Sequence, residues 1–275
     1  MPDIQVVVLT GYGLNCDHET AYAFEQAGAT ANRVHIHHLI DGSISLHDYH
    51  IMVFTGGFSW GDDHGAGVLE AIRLKSNIGD DITQFIEDGK LIIGICNGFQ
   101  AMVNMGLLPG IDNYHTRSVA LTYNDCGNFR NDWVTLRIDP DSSCVFTKGI
   151  QTIDLPIRHG EGKFYAEQNI IETLLEQKQV VMQYADKDGN LANNTFPDNP
   201  NGSFCDIAGI CDITGRVFGL MPHPEAYNHW TNHPNWTRLR ENKKRNDLPV
   251  DSYQKPMGTI LFTNAVNYML ENYSF

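Results

Sequence analysis

Apolar residues in the first third of the chain come in short blocks, not in alternation. Residues 5–10 (QVVVLT), 31–37, 51–55 (IMVFT) and 91–95 (LIIGI) are aliphatic or β-branched runs with few polar interruptions. Such runs mark strands buried on both faces. Between them the apolar spacing becomes helical, over about 17–26, 66–76, 80–88 and 97–105, with Gly28, Gly89 and Gly106 as stops. A strand followed by a helix, repeated, predicts a mostly parallel open sheet with helices on both faces.

The pattern changes after residue 110. Residues 118–123, 133–138 and 152–158 read as strands with no helix between them, 167–177 as a helix and 180–184 as a strand. Residues 207–211 and 216–220 flank a turn at 212–215 and read as a hairpin, and 259–270 is amphipathic and helical. No internal repeat, low-complexity tract or linker divides the chain. The expectation is one α/β domain over 1–275 whose sheet is extended by an antiparallel region.

Composition narrows the class. The 275 residues carry a formal net charge of −14 and are 42% hydrophobic, as expected of a folded globular chain with few basic patches. That charge argues against nucleic acid as the main partner. The N-terminus has no signal-peptide pattern, and no run approaches the length of a membrane span. The six cysteines form no CxxC pair and read as reduced thiols of a cytoplasmic protein.

Three stretches carry chemistry. Gly94-Ile95-Cys96-Asn97-Gly98 has the form G-x-C-x-G between a buried strand and a helix, the setting of a nucleophile elbow. A cysteine there sits at the carboxyl end of the sheet, and a helix N-terminus favours its thiolate. The plain alternative is a small buried cysteine, the common fate of a free thiol. Thr55-Gly56-Gly57-Phe58-Ser59 also follows a buried strand; its backbone N–H groups suit an oxyanion hole, with the Asn97 N–H as a second donor, although an ordinary tight turn has the same composition. Met221-Pro222-His223-Pro224-Glu225 ends a third strand. Two prolines favour an extended chain there, so His223 and Glu225 are expected on one side, with Glu225 orienting the imidazole.

GICNGFQ at 94–100, GGFSWGD at 56–62 and MPHPE at 221–225 resemble the class I, triad-type glutamine amidotransferases. GLNCDHET at 13–20, HGEGKF at 159–164, NPNGS at 199–203 and IAGICD at 207–212 narrow the likeness to the glutaminase components of phosphoribosylformylglycinamidine synthase, over about residues 4–225. The resemblance implies a flavodoxin-like amidotransferase fold and hydrolysis of L-glutamine to glutamate and ammonia. It makes Cys96 the nucleophile, His223 the base and acid, and Glu225 the orienting carboxylate. It gives Gly57 and Asn97 the oxyanion N–H groups, and Gln100, His159, Gly160 and Glu161 the substrate pocket.

No metal or other cofactor is implied in this chain. There is no GxxxxGK[ST] motif for ATP. The resemblance implies a separate synthetase subunit that holds ATP and Mg²⁺ and a small bridging subunit, the multi-subunit form being expected over a single fused polypeptide. Two other functions share the fold: a non-catalytic glutamine-sensing or scaffolding module, and a cysteine hydrolase of γ-glutamyl compounds or peptides. The intact Cys96, His223 and Glu225 set disfavours the first, and Gln100 with the narrower motifs disfavours the second.

The chain departs from compact relatives in an insertion at about 227–256, which carries Arg238, Arg240, Lys243, Lys244 and Arg245 against an acidic background. It is expected either to help dock the synthetase or to be a solvated excursion, and its deletion over 230–255 is expected to spare the fold. His35 and His37 would share a strand face, but nothing nearby completes a zinc set. Prolines at 222, 224 and 234 also disfavour a helical HExxH-type site around His223, Glu225, His229 and His233. Cys16 is expected to pack beneath the site.

Overall fold

The computed structural model describes residues 3–247 and 257–273. In chain order the first half runs β1 (Gln5–Thr10), α1 (Asp17–Gln26), β2 (Thr30–His35), α2 (Ile36–Ile40), β3 (Ile51–Phe54), α3 (Val68–Glu87), β4 (Leu91–Ile95) and α4 (Asn97–Met105). The second half runs β5 (Val119–Tyr123), β6 (Arg130–Ile138), β7 (Thr152–His159), β8 (Glu161–Ala166), α5 (Gln168–Glu176), β9 (Val180–Ala185), β10 (Ile207–Cys211) and β11 (Val217–Leu220). It closes with α6 (Trp236–Arg245) and α7 (Thr259–Asn272).

Nine strands form one sheet in the order β2-β1-β3-β4-β11-β10-β9-β6-β7, and β5 pairs with β8 in a two-stranded ribbon. From β2 to β11 the strands are parallel. From β10 to β7 the same sheet continues antiparallel. The sequence pattern explains the division: β3, β4 and β11 are buried at every position, whereas β6 alternates towards solvent.

The strand order reverses at β1, which lies between β2 and β3. Right-handed crossovers then put α1 on one face of the sheet and α3 and α4 on the other. α1 packs against α7, with the Phe24 and Phe262 rings 4.9 Å apart, and α3 packs against α4. The parallel strands β1, β3, β4 and β11 therefore present their carboxyl ends at one edge, where open α/β sheets place ligands.

Three details differ from the pattern reading. The second strand stops at His35, and the chain turns into α2, which places His37 beside Asp41 at 3.3 Å and His38 Nδ1 3.1 Å from Ser43 Oγ. His35 and His37 thus share no strand face. The helices expected at 66–76 and 80–88 are both present, joined in α3 across a kink at Ile78 (φ −134°, ψ 21°). Only Ile78 leaves helical geometry, and buried Leu74, Ile78, Ile82, Phe85 and Ile86 keep one apolar stripe across it. Residues 161–166 form β8, and part of the insertion forms α6, neither anticipated as regular structure. The remainder of the insertion, 248–256, lies outside the described residues.

Candidate functional site

Cys96 occupies the turn between β4 and α4, at φ 51° and ψ −106°. A non-glycine residue in that region is strained by about 1–3 kcal/mol and is held there by its surroundings. The constraint is visible on both sides. The Cys96 N–H donates to the Leu220 carbonyl at 2.8 Å, and Gly98 packs so tightly against the Phe54 carbonyl that no β-carbon fits. The Cys96 Sγ lies 3.6 Å from the Arg158 carbonyl oxygen. Asn97 is the first residue of α4, so its backbone N–H has no intrahelical acceptor and stays available at the turn.

The Gly57 peptide comes from the neighbouring strand end. The Gly56 carbonyl accepts from the N–H groups of Asn15 and Cys16, each at 3.2 Å. In a trans peptide the N–H points opposite the carbonyl, so the Gly57 N–H faces away from that loop. Gly57 has φ 152°, and a β-carbon there would meet Gly13 O and Leu14 Cα at 2.7 Å. Only glycine fits the close approach of these two loops.

His223 follows β11, with its N–H on the Pro156 carbonyl at 2.8 Å. Its Nδ1 is 2.5 Å from Glu225 Oε1, and the two residues are 2% and 0% exposed. They meet on one side as expected, but by a different route. Pro224–Ala226 is a turn of 3-10 helix, not extended chain, and it swings the carboxylate back onto the ring. Gly258, at the start of α7, packs on the Pro224 carbonyl and braces this turn. Burial alone would lower the imidazole pKa. The Glu225 carboxylate, then Cys96 and Cys16, outweigh it and hold the pKa well above its ordinary value. Nε2 is buried without a hydrogen-bond partner among the described residues.

Two cavities meet at Cys96. One, of about 270 Å³, is lined by Gly57, Asp62, Gln100, Phe129, Arg158 and Glu161, among others. The other, about 360 Å³, is reached past Asn15, Cys16, Glu19 and His223. Gln100 is buried. Its Nε2 donates to the Glu161 carbonyl, and its Oε1 accepts from Asn97 Nδ2 at 3.1 Å. His159 is buried beneath, with Nδ1 3.1 Å from Asn124 Oδ1. Burial, then the charge on His223, lowers its pKa to about 3, so it is a neutral wall. Gly160 lines the cavity, and the Glu161 carboxylate accepts from Ala66 N–H at 3.4 Å.

All nine expected site residues therefore converge on one edge of the sheet. Cys16 packs beside the ring, its Sγ 4.0 Å from His223 Nδ1, and burial raises its pKa. Cys16, His223 and Glu225 place ligand atoms within 4.8 Å of one another. The 2.5 Å separation of Nδ1 and Oε1 is nevertheless a hydrogen-bond distance, whereas two ligands on one tetrahedral zinc lie about 3.3 Å apart. Asp62, Arg158, Phe129 and Asn124 were not anticipated. Asp62 lies at the end of the 56–62 motif; the others carry no local signal. Asn201 and Ser203, from the 199–203 motif, brace β8 through Gly162 O at 2.8 Å and Phe164 N at 2.9 Å.

A cysteine on a strained strand-to-helix turn, a buried imidazole–carboxylate pair on the adjacent parallel strand and convergent backbone donors are the parts of a cysteine-dependent acyl-transfer enzyme. The chain belongs to the CobB/CobQ-like glutamine amidotransferase family, whose model matches residues 3–269. It is 48% identical to the phosphoribosylformylglycinamidine synthase subunit PurQ of Methanococcus maripaludis strain S2, over 96% of this chain and 97% of that one. It is 42% identical to the PurQ subunit of Dehalococcoides mccartyi over 98% of both. Among solved structures, a chain of PurLQS from Thermotoga maritima superposes with a TM-score of 0.70 at 28% identity, over 98% of this chain and 100% of that one. Among the described residues no helix is long and apolar enough to cross a membrane.

Proposed function

We propose that this chain is the glutaminase subunit of phosphoribosylformylglycinamidine synthase and works with a synthetase subunit, a small bridging subunit completing the enzyme. The observation that carries the reading is the meeting of Cys96 with the buried His223–Glu225 pair where two cavities join, one of them walled by Gln100 and Glu161.

The chemistry follows from the geometry. Glu225 occupies Nδ1, which leaves Nε2 to exchange a proton with the Cys96 sulfur. The thiolate attacks the side-chain amide carbon of glutamine. The Gly57 and Asn97 N–H groups take the developing oxyanion, a contribution of about 10²–10³ in rate per donor. The imidazolium protonates the departing nitrogen, and the C–N bond breaks to give ammonia and a γ-glutamyl thioester. Water, losing its proton to the same Nε2, cleaves the thioester to glutamate and restores the thiol. The synthetase, holding ATP and Mg²⁺, uses the ammonia to convert formylglycinamide ribonucleotide to formylglycinamidine ribonucleotide. Six free cysteines fit a reducing cytoplasm.

The test is ammonia and glutamate release from L-glutamine, with and without the synthetase subunit. Activity is expected to be weak alone and stronger in the complex, because such sites close when partners or ligands bind. Cys96→Ala is expected to lose at least 10³-fold. Wild-type ammonia release by that variant overturns the reading.

A further inference from the structure

Asp62 is a cavity residue with no role in the chemistry above. Its Oδ1 accepts from Asn97 Nδ2 at 3.3 Å, and Asn97 Oδ1 in turn accepts from the Ser59 N–H at 3.1 Å. Glu161, across the same cavity, is tied to Ala66. Both carboxyls are thus fixed to one short segment. That segment is wound through left-handed backbone at three non-glycine residues, Trp60 (φ 51°), Asp62 (φ 56°) and His64 (φ 64°). Strain of this kind persists where the surroundings over-determine it, as at ligand clamps.

The electrostatics point to what is clamped. Burial, then the charge on Glu161, raises the Asp62 pKa to about 6. Neither carboxylate forms an ion pair among the described residues. Two mutually repelling carboxylates beside Cys96 and Gln100 are a wall that a bound cation would relieve. Free glutamine brings one, an ammonium on the carbon three bonds from its amide carbon. A glutamine inside a peptide does not, because its nitrogen is acylated.

We propose that Asp62, together with Glu161, is the specificity determinant that reads the α-ammonium of the substrate and so restricts the site to the free amino acid. This deepens the glutaminase reading and rests on it.

The experiment compares L-glutamine with glutaramate, which has the same amide and no α-ammonium, in the presence of the synthetase subunit. Asp62→Asn keeps the side-chain shape and the oxygen that accepts from Asn97 while removing the charge. The wild-type protein is expected to prefer glutamine by at least about 10²-fold in kcat/KM. Asp62→Asn is expected to lower kcat/KM for glutamine about 10- to 100-fold, chiefly through KM, and to shrink the preference by a similar factor. Asp62→Glu is expected to restore part of it. Competitive inhibition by glutamate and by glutarate gives the same comparison without turnover, and the preference for glutamate should collapse in Asp62→Asn. A variant that keeps the wild-type preference overturns the assignment, as does one that loses kcat with KM unchanged. If the wild-type protein releases no ammonia from glutamine, the glutaminase reading itself fails.

Discussion

Nδ1 of His223 lies 2.5 Å from Oε1 of Glu225, and both side chains are almost wholly buried. An imidazole this deeply buried favours its neutral form unless a fixed negative charge is beside it, and Glu225 is that charge. It also keeps the proton on Nδ1, so that Nε2 is the basic nitrogen. Glu225→Gln keeps the volume and removes the charge. Ammonia release is expected to fall by on the order of 10²–10⁴ in kcat with little change in KM. The His223 pKa, followed by NMR, is expected to move down. Wild-type kcat in this variant would mean that the pair is only structural.

Two thiols act on this imidazole, and their surroundings separate them. Cys96 lines both cavities and sits at a helix N-terminus, whereas Cys16 lines one cavity and has its pKa raised by burial. Iodoacetamide at neutral pH is therefore expected to modify Cys96 well before Cys16, as read by peptide mass spectrometry. Cys16→Ala is expected to keep activity within about tenfold, the range of a packing change beside the His223 ring. Faster alkylation at Cys16 would reverse the assignment of the two sulfurs.

The parts of the site that could be read in the sequence are those whose chemistry is local. The Cys96 elbow, the Gly57 turn and the His223–Glu225 pair each follow a buried apolar strand, so strand end and functional residue are adjacent in the chain. Asn124, Arg158 and Phe129 reach the site from β7 and from the loops around β5 and β6, and only the tertiary fold sets their roles. Backbone geometry accounts for other differences. Pro224 begins a helical turn as readily as it extends a chain, since its fixed φ suits both, and here the turn makes the His223 contact. The break expected near residues 77–79 is the kink at Ile78, next to Gly79, and the apolar stripe stays packed across it.

Deleting 230–255 is expected to cost stability, against the sequence-based expectation that the fold would be spared. The His233 ring lies 4.9 Å from Trp133 and 6.1 Å from Tyr227, and its Nε2 is 3.5 Å from Asp154 Oδ2. Removing it uncovers the end of β6. With two ring contacts of about 0.5–1.5 kcal/mol each, the melting temperature should drop by roughly 2–6 °C. Three exposed cations of α6, Arg240, Lys244 and Arg245, lie outside the cavity that His233 and Trp133 share and can instead be replaced. A charge-removing variant of those three is expected to melt normally, and its affinity for the synthetase by ultracentrifugation then tests the docking role alone. An unchanged melting temperature in the deletion would show that the ring cluster contributes nothing.

Glu70 links pH to stability. It lies in the first turn of α3, fully buried, with no hydrogen-bond partner for either oxygen among the described residues. Burial raises its pKa from 4.5 to about 8, and the Ser59 hydroxyl, near but outside hydrogen-bond geometry, offsets this only in part. The folded protein therefore holds a proton that the unfolded chain releases above pH 4.5. Between those two values the unfolded state binds fewer protons, so stability falls as pH rises, by roughly 5 kcal/mol across the window. The contribution is fully present below pH 4.5 and lost by about pH 8 and above. Glu70→Gln replaces the carboxyl with a group that cannot ionise. It should match the wild type near pH 5 and exceed it by several kcal/mol near pH 9, about 3–5 by the same relation. Urea unfolding of both proteins at the two pH values measures the difference directly. Parallel pH profiles would show that Glu70 does not change its charge on folding.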